Sequence, residues 1–120
     1  MSNKNKRIGT WGEDLVVKEF EKKGFLTVAK NWQKRYGELD LIFTKDKEIV
    51  FVEVKTRSSN LYGWAEEAVD QRKKKKIKQT IDQFLLENEK YQDCFPRFDI
   101  VAIEISTLIP KIIHYENVEL

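Results

Sequence analysis

The sequence of 120 residues has few of the side chains that build disulfides or soft-metal sites. It contains one cysteine, Cys94, and one histidine, His114. A single cysteine excludes an intrachain disulfide and a cysteine-based zinc site, and a single histidine excludes a histidine cluster. We therefore expect Cys94 to be a buried, unreactive thiol and His114 to be a structural residue of a strand.

Long apolar runs are also missing, and none approaches the roughly 18 residues of a membrane-spanning helix. The opening residues MSNKNKR are basic, but no apolar segment follows them as it would in a secretory signal. The sequence has no internal repeat and no linker rich in Pro, Gly or Ser. These absences predict one cytoplasmic domain over residues 1–120, with no membrane contact.

A strong net charge is the third absence, because 22 Lys and Arg residues nearly balance 20 Asp and Glu residues. The net charge of +2 therefore says little about partners, and the distribution of the charges matters more. What the chain does have is a hydrophobic fraction of 41% with 12% aromatic residues. This composition is typical of a globular protein rather than a disordered one.

Hydrophobic periodicity predicts an α/β domain in the order helix, three strands, helix, and one or two strands. A first helix is expected over about Ile8–Lys23, with Gly24 as its stop, and a second over about Trp64–Glu89. The short charged turn between the second and third strands predicts an antiparallel meander. The expected strands cover residues 25–32, 37–43, 48–55, 97–105 and 111–116.

Acidic residues interrupt two apolar strands in the segment YGELDLIFTKDKEIVFVEVKTR, Tyr36–Arg57. A tight turn centred on Asp46–Lys47 would set Asp40 opposite Glu53, with Cβ atoms about 5 Å apart. Lys55 shares the face of Glu53, because side chains alternate along a strand. A strand of the core therefore becomes charged at its carboxyl end, which is typical of a strand that emerges into a cleft.

Two carboxylates side by side oppose folding unless one is protonated, a basic residue pairs with them, or a divalent cation binds. Oxygen ligands of this kind suit Mg²⁺. The spacing alone equally allows a salt bridge in which Lys55 pairs with Glu53 or Asp40 and nothing reacts. Buried ion pairs stabilise less well than apolar packing, which favours the functional interpretation.

Glu13 is a further candidate, because helical spacing aligns it with the apolar stripe of Val16, Val17 and Phe20. It would then point towards the same cleft. The alternative is a capping box in TWGE, with Thr10 as the N-cap and Glu13 three residues later.

This constellation resembles the PD-(D/E)XK nuclease superfamily, which has an acid, an acid–x–Lys on the next strand and a glutamate on the preceding helix. More closely, GTWGED, NWQKRYGELDLI, VFVEVKTR and RFDIVAI resemble the YraN family, small bacterial proteins described as endonuclease-like and related to archaeal Holliday-junction resolvases. The resemblance runs from about Gly9 to Ile103. It implies a restriction-endonuclease-like core with a mixed central sheet. One departure is Leu39, which stands where the superfamily name implies proline.

The resemblance also implies roles for individual residues. Asp40, Glu53 and Glu13 would bind Mg²⁺ or Mn²⁺, and Lys55 would orient or activate the attacking water. Glu38 would be an outer acid of the site. The implied activity is hydrolysis of phosphodiester bonds in DNA, including branched or junction DNA, by a protein that forms a homodimer.

Clustered basic residues suit a polyanionic substrate, with DNA expected and RNA left open. The candidate residues are Lys34, Arg35, Arg57, Arg72, Lys73, Lys74 and Lys76. A run of five cations in a helix covers more than one turn, so a solvated helix face is the alternative. The aromatic residues Tyr36, Tyr62 and Trp64 either stack on bases or pack internally.

Three hypotheses follow from these residues. The first is a metal-dependent nuclease. The second is a nucleic-acid-binding module that keeps the nuclease fold but cuts little or not at all. The third is an interaction protein in which the acids form structural salt bridges. The complete set of acid and acid–x–Lys favours the nuclease.

Overall fold

The computed structural model describes residues 3–57, 70–105 and 108–120, with side chains described from residue 7 onwards. Two helices, one 3₁₀ turn and five strands account for most of these residues. They are α1 (Asn3–Lys22), β1 (Leu26–Lys34), β2 (Gly37–Lys45), β3 (Glu48–Arg57), α2 (Gln71–Glu87), the 3₁₀ turn (Glu89–Tyr91), β4 (Phe95–Glu104) and β5 (Lys111–Tyr115).

The strands form one mixed sheet in the order β1-β2-β3-β4-β5. Pairing is antiparallel from β1 to β3, parallel between β3 and β4, and antiparallel again between β4 and β5. The parallel pair needs a crossover connection, and α2 lies in it. The predicted α/β class, the antiparallel meander and the mixed sheet are confirmed.

The β2–β3 turn has the predicted register, with Leu41 opposite Val52 and Lys45 opposite Glu48. The turn residue Asp46 has a φ of 54°. Aspartate tolerates this left-handed conformation better than most residues because its short polar side chain bonds locally. A tight turn at this point fixes which residues of the two strands face each other.

Each face of the sheet is covered by one helix. The cluster under α1 contains Val16, Val17, Phe20, Leu41, Phe43, Val50, Val52, Val101 and Ile103. The cluster under α2 contains Leu39, Ile42, Ile49, Phe51, Ile77, Ile81, Phe84, Phe98 and Ile100. β3 is therefore covered on both sides, as its two apolar faces predict. Side-chain alternation predicts that Leu39, Leu41 and Phe43 share one face of β2. Leu39 instead packs with the α2 cluster, while Leu41 and Phe43 pack with the α1 cluster.

The carboxyl end of α1 is a Schellman motif. Gly24 has a φ of +93° and its N–H donates to the carbonyl of Glu21 at 3.0 Å. The N–H of Phe25 donates to the carbonyl of Phe20 at 3.1 Å, and the two rings lie 5.1 Å apart. The carbonyls of Phe20 and Glu21 thus have hydrogen-bond donors, and glycine suits the left-handed position that follows the helix. Gly24 is confirmed as the stop of this helix.

Both predicted helix starts need correction. α1 begins at Asn3, so Thr10 lies inside the helix and is not an N-cap for Glu13. α2 begins at Gln71, because Asp70 has extended backbone and its side chain accepts a hydrogen bond from the Lys73 N–H at 2.9 Å. The start predicted at Trp64 falls outside the described residues, as does Tyr62.

Two smaller expectations also meet the structure. Cys94 is half-buried rather than fully buried, and it packs against the α2 cluster. Neither described helix has both the length and the apolar character required to cross a membrane.

Candidate active site

Asp40 lies at the end of the paired region of β2 and β3. The last pair in this ladder is Leu41 with Val52, so the observed pairing stops one residue short of the predicted pair of Asp40 with Glu53. Two residues beyond Val52, the backbone N–H of Val54 donates to the Asp40 carboxylate at 2.9 Å. The side chain of Asp40 thus provides an acceptor where strand pairing ends, and this fixes its position between the two strands.

The charge of Asp40 is strongly disfavoured by its surroundings. Burial is the largest cause and the neighbouring charge of Glu53 the second, and together they raise the pKa of Asp40 to about 7. The hydrogen bond from Val54 opposes this effect, and the charges of Glu13 and Glu38 add to it. The other three predicted acids, from three different elements, therefore lie within electrostatic reach of Asp40.

Glu53 is held by two lysines at one oxygen atom. Lys55 Nζ lies 3.3 Å and Lys73 Nζ lies 3.4 Å from Glu53 Oε1, and the Glu53 side chain is 13% exposed. Burial, followed by the proximity of Lys73, lowers the pKa of Lys55, although Glu53 acts in the opposite direction. The predicted contact between Lys55 and Glu53 is present, and α2 adds a second cation to it.

Glu13 approaches the same region from α1. Asn31 Nδ2 donates to Glu13 Oε1 at 3.2 Å, and burial raises the pKa of Glu13 despite this bond. Asn31 itself has a φ of 50°, a left-handed position in β1 that asparagine tolerates. Glu13 and Lys55 both line a cavity of about 360 Å³. The lining of this cavity includes neither Asp40 nor Glu53, and Glu13 is linked to the other acids through the effect of its charge on Asp40.

The donor set suits a hard divalent cation. Asp40, Glu53 and Glu13 offer carboxylate oxygens, the ligand type that Mg²⁺ and Mn²⁺ prefer. The pKa values of Asp40 and Glu13 are raised, which shows how poorly the cluster tolerates its full negative charge. A cation of charge +2 would reverse this preference and favour the ionised carboxylates.

The predicted basic residues divide between two regions. Lys73 contacts Glu53 at the start of α2, with Arg72 and Lys76 exposed and Lys74 half-buried in the same turns. Arg57 is half-buried at the end of β3. Lys73 is thus brought into contact with an acid of the predicted site.

The second region is the β1–β2 hairpin, where Arg35 and Tyr36 are exposed. Lys34 pairs with Glu87 at 2.9 Å and lies 5.2 Å from the Trp32 ring centre. Glu87 is the last residue of α2, roughly 21 Å along the helix axis from Lys73. Lys34 therefore makes a structural ion pair at the far end of α2, away from the acids.

A second polar cluster, which sequence reasoning missed, lies under the α1 side of the sheet around Asp99. The fully buried Asp99 carboxylate accepts two bonds of 2.9 Å from Arg97, one of 2.9 Å from the Asn117 N–H, and lies 2.7 Å from His114 Nε2. The only available signal was an aspartate and a histidine within apolar strands.

Ligand atoms of Asp99, His114 and Glu116 lie within 4.8 Å of one another, so this group could also hold a metal ion. Arg97 already occupies both oxygens of Asp99, however, and a metal would have to displace it. The hydrogen bonds of the cluster fasten β5 to β4. His114 is therefore the structural strand residue that its surroundings in the sequence predicted.

Comparison with known proteins places these residues in a family. Residues 12–103 match the model of UPF0102, described as an uncharacterised protein family. A UPF0102 protein of Syntrophomonas wolfei is 42% identical over 115 residues, which is 94% of this chain and 97% of the relative. A UPF0102 protein of Alkaliphilus oremlandii is 40% identical over 94% of this chain and 97% of the relative. A UPF0102 protein of Acinetobacter baumannii is 36% identical over 92% of this chain and 83% of the relative. The matched span contains all the acids of the site.

Proposed function

The chain belongs to UPF0102, the uncharacterised family that the resemblance to YraN predicted, and we propose that this protein is a divalent-metal-dependent nuclease acting on DNA. The observation that carries the proposal is the convergence of Asp40 and Glu53 at the ends of two core strands, with Lys55 beside Glu53. Three ionisable groups in a half-buried position cost stability, and a catalytic role explains why they are there.

The proposed metal ligands are Asp40, Glu53 and Glu13, which would hold Mg²⁺ or Mn²⁺. A bound divalent cation acidifies a coordinated water and neutralises charge that builds on the phosphate. The protein's own part is to hold these oxygens in place. Val54 fixes Asp40 through its backbone N–H, and Asn31 fixes Glu13 through its side-chain amide.

Lys55 is the proposed residue that holds the attacking water. It lines the cavity shared with Glu13, and it lies on the same strand end as Glu53. Burial and Lys73 lower the pKa of Lys55, so this lysine gives up its own proton more easily than an ordinary lysine does. The water oxygen would bond to phosphorus while the P–O bond opposite it breaks, the water would give one proton to Lys55, and the leaving oxygen would take a proton from solvent water.

The proposed substrate is a nucleic-acid backbone rather than a base sequence. Arg72, Lys74 and Lys76 flank Lys73 in the first turns of α2, and Arg57 ends the strand that carries Glu53. Cations arranged in this way contact phosphates without reading bases. Branched or junction DNA and a homodimer follow from the family resemblance alone.

A second candidate is a nucleic-acid-binding module that cuts little or not at all. It is favoured by the two lysines at Glu53 Oε1, because they balance the charge of this carboxylate without a metal. In that case the basic residues of α2 would bind DNA and the acids would be structural.

The two functions differ in what DNA cleavage requires. We would incubate labelled branched and linear DNA with the protein in Mg²⁺, in Mn²⁺ and in EDTA. Asp40→Asn and Glu53→Gln test the ligands, and Asp93→Asn, at an exposed position, is the matched control. The nuclease predicts metal-dependent cleavage that falls at least about 100-fold in the two site variants and is unchanged in the control.

Cleavage that survives Asp40→Asn would exclude the proposed site. Binding that needs no metal, weakens with salt and leaves the DNA intact would establish the module instead. A wild-type protein that neither binds nor cuts DNA would leave the salt-bridge interpretation of the acids.

A further inference from the structure

Lys73 makes a contact that the family resemblance does not account for. Its Nζ atom lies 3.4 Å from Glu53 Oε1, the same oxygen that Lys55 approaches to 3.3 Å. Lys55 is the lysine of the acid–x–Lys motif. Lys73 comes from a different element, the first turn of α2, and reaches across to the sheet.

The position of Lys73 is unfavourable for the helix that carries it. The amino end of a helix has a partial positive charge, which disfavours cations in the first turn. The first turn of α2 contains Arg72, Lys73 and Lys74 and no acidic residue. Asp70 compensates in part, because its side chain accepts a hydrogen bond from the Lys73 N–H at 2.9 Å. The backbone of Lys73 is thus anchored while its ammonium group pairs with Glu53.

We infer that Lys73 is a positioning residue that occupies Glu53 as a counter-ion, competes with the divalent cation for this carboxylate, and turns to the substrate phosphate when the metal binds. The inference rests on the proposed function, since it assumes that Glu53 is a metal ligand. It adds a role for one particular lysine of the basic run.

The Lys73 side chain is more exposed than that of Lys55, at 38% against 26%. A divalent ion bound at Glu53 Oε1 would repel an ammonium group held a few ångströms from the same oxygen. Lys73 has a flexible four-carbon stem on a helix whose neighbouring cations Arg72 and Lys76 are exposed. It can therefore swing from the carboxylate to the surface where the phosphate backbone would lie. Metal binding and substrate binding are coupled through this one side chain.

The test measures Mn²⁺ binding directly, by electron paramagnetic resonance of free Mn²⁺, on the full chain without DNA. Lys73→Met removes the competing cation. Lys75→Met removes the same charge from an exposed position on the opposite side of α2 and is the matched control. Asp40→Asn identifies the part of the binding that belongs to this site rather than to Asp99, His114 and Glu116.

We expect Lys73→Met to bind Mn²⁺ about tenfold more tightly than the wild type, and Lys75→Met to stay within about twofold. Lys73→Arg, which keeps the charge, should restore the wild-type affinity. With Ca²⁺ as a probe metal, DNA affinity should rise on metal addition in the wild type and rise less in Lys73→Met. If Lys73→Met does not fold, Lys73→Gln replaces it in the same comparison.

Equal Mn²⁺ affinity in the Lys73→Met and Lys75→Met variants would overturn the inference, and so would weaker binding by Lys73→Met. Either result can occur while Asp40-dependent Mn²⁺ binding and DNA cleavage persist, in which case the proposed function stands. Absence of any Mn²⁺ binding that depends on Asp40 would instead refute the metal site itself, and the role of Lys73 with it.

Discussion

The backbone N–H of Val54 donates a hydrogen bond of 2.9 Å to the carboxylate of Asp40, just past the last paired residues of β2 and β3. The side chain of one strand thus satisfies a backbone donor of the next. This bond holds an acid of the site in place. It requires an oxygen acceptor on residue 40 but not a negative charge.

Substitution of Asp40 should therefore separate charge from hydrogen bonding. Asp40→Asn keeps an oxygen acceptor and removes repulsion from Glu53, so we expect an unfolding free energy equal to or above that of the wild type at pH 8. Asp40→Ala leaves the Val54 N–H without its acceptor and should lose about 1–3 kcal/mol. Urea unfolding in EDTA measures both. Equal losses in the two variants would contradict the importance of this bond.

The raised pKa of Asp40 predicts how the metal-free stability depends on pH. An unfolded aspartate has a pKa of about 3.9, whereas burial beside Glu53 raises the pKa of Asp40 to about 7. Between these values the folded protein keeps a proton that the unfolded chain has lost. The stabilisation is complete below about pH 4 and declines by at most about 1.4 kcal/mol per pH unit until it is lost above about pH 7.

The difference in unfolding free energy between the wild type and Asp40→Asn isolates this contribution from those of other groups. We expect the difference, measured in EDTA, to favour the wild type more at about pH 5 than at about pH 8. A difference that stays constant over this range would show that Asp40 titrates as an ordinary aspartate.

Asp99 should be among the most sensitive positions of the fold. Asp99→Ala would leave Arg97 and the backbone N–H of Asn117 without their buried acceptor, and His114 without its partner. We expect a loss of about 3–5 kcal/mol in urea unfolding. Glu116→Gln is the control, because Glu116 is exposed and lies 4.0 Å from Arg97, and it should cost less than about 1 kcal/mol. Similar losses of unfolding free energy in the two variants would show that the burial of Asp99 does not make it more important than the exposed Glu116.

Two glycines of α1 offer a matched pair. A Cβ atom on Gly12 would overlap Thr56 Oγ1 and crowd Ile103 Cδ1, whereas a Cβ atom on Gly9 would have nothing within 4 Å. Gly12→Ala should therefore destabilise the protein by about 1–3 kcal/mol. Gly9→Ala should stabilise it by roughly 0.5–1 kcal/mol, because alanine favours the helix. Thermal unfolding of both variants provides the comparison, and a stabilising Gly12→Ala would refute the close approach of α1 to β3.

Most of the fold was predictable from local patterns. The strand order of the meander and the register that pairs Leu41 with Val52 follow from hydrophobic periodicity and a two-residue turn. The start of α1 was not predictable, because Asn3 to Lys6 carry no apolar periodicity. The capping box proposed for Thr10 and Glu13 failed for this reason. Leu39 was assigned to the wrong face because strict alternation does not hold along the whole of β2.

The contacts of individual cations could not be predicted in the same way. Lys34 pairs with Glu87, more than fifty residues away. Lys73 is one of five consecutive basic residues, and the sequence does not distinguish which of them contacts an acid. Which of the five meets Glu53 depends on the helix starting after Asp70 and on the way α2 packs on the sheet. The Asp99 cluster likewise draws its partners from two strands and the turn after β5.

The sequence by itself determined the order of the elements, the apolar faces of β3, the pairing of β2 with β3 and the membership in UPF0102. The elements and their pairing depend on periodicity and turn residues, which are local features of the sequence. Family membership depends on residues that can be aligned with those of related sequences. Only the tertiary structure decided that Glu13 reaches the acids, that Lys73 joins Lys55 at Glu53, and that Asp99 is enclosed by Arg97 and His114. Such contacts join residues far apart in the chain, and the packing of helices against the sheet sets which of them meet.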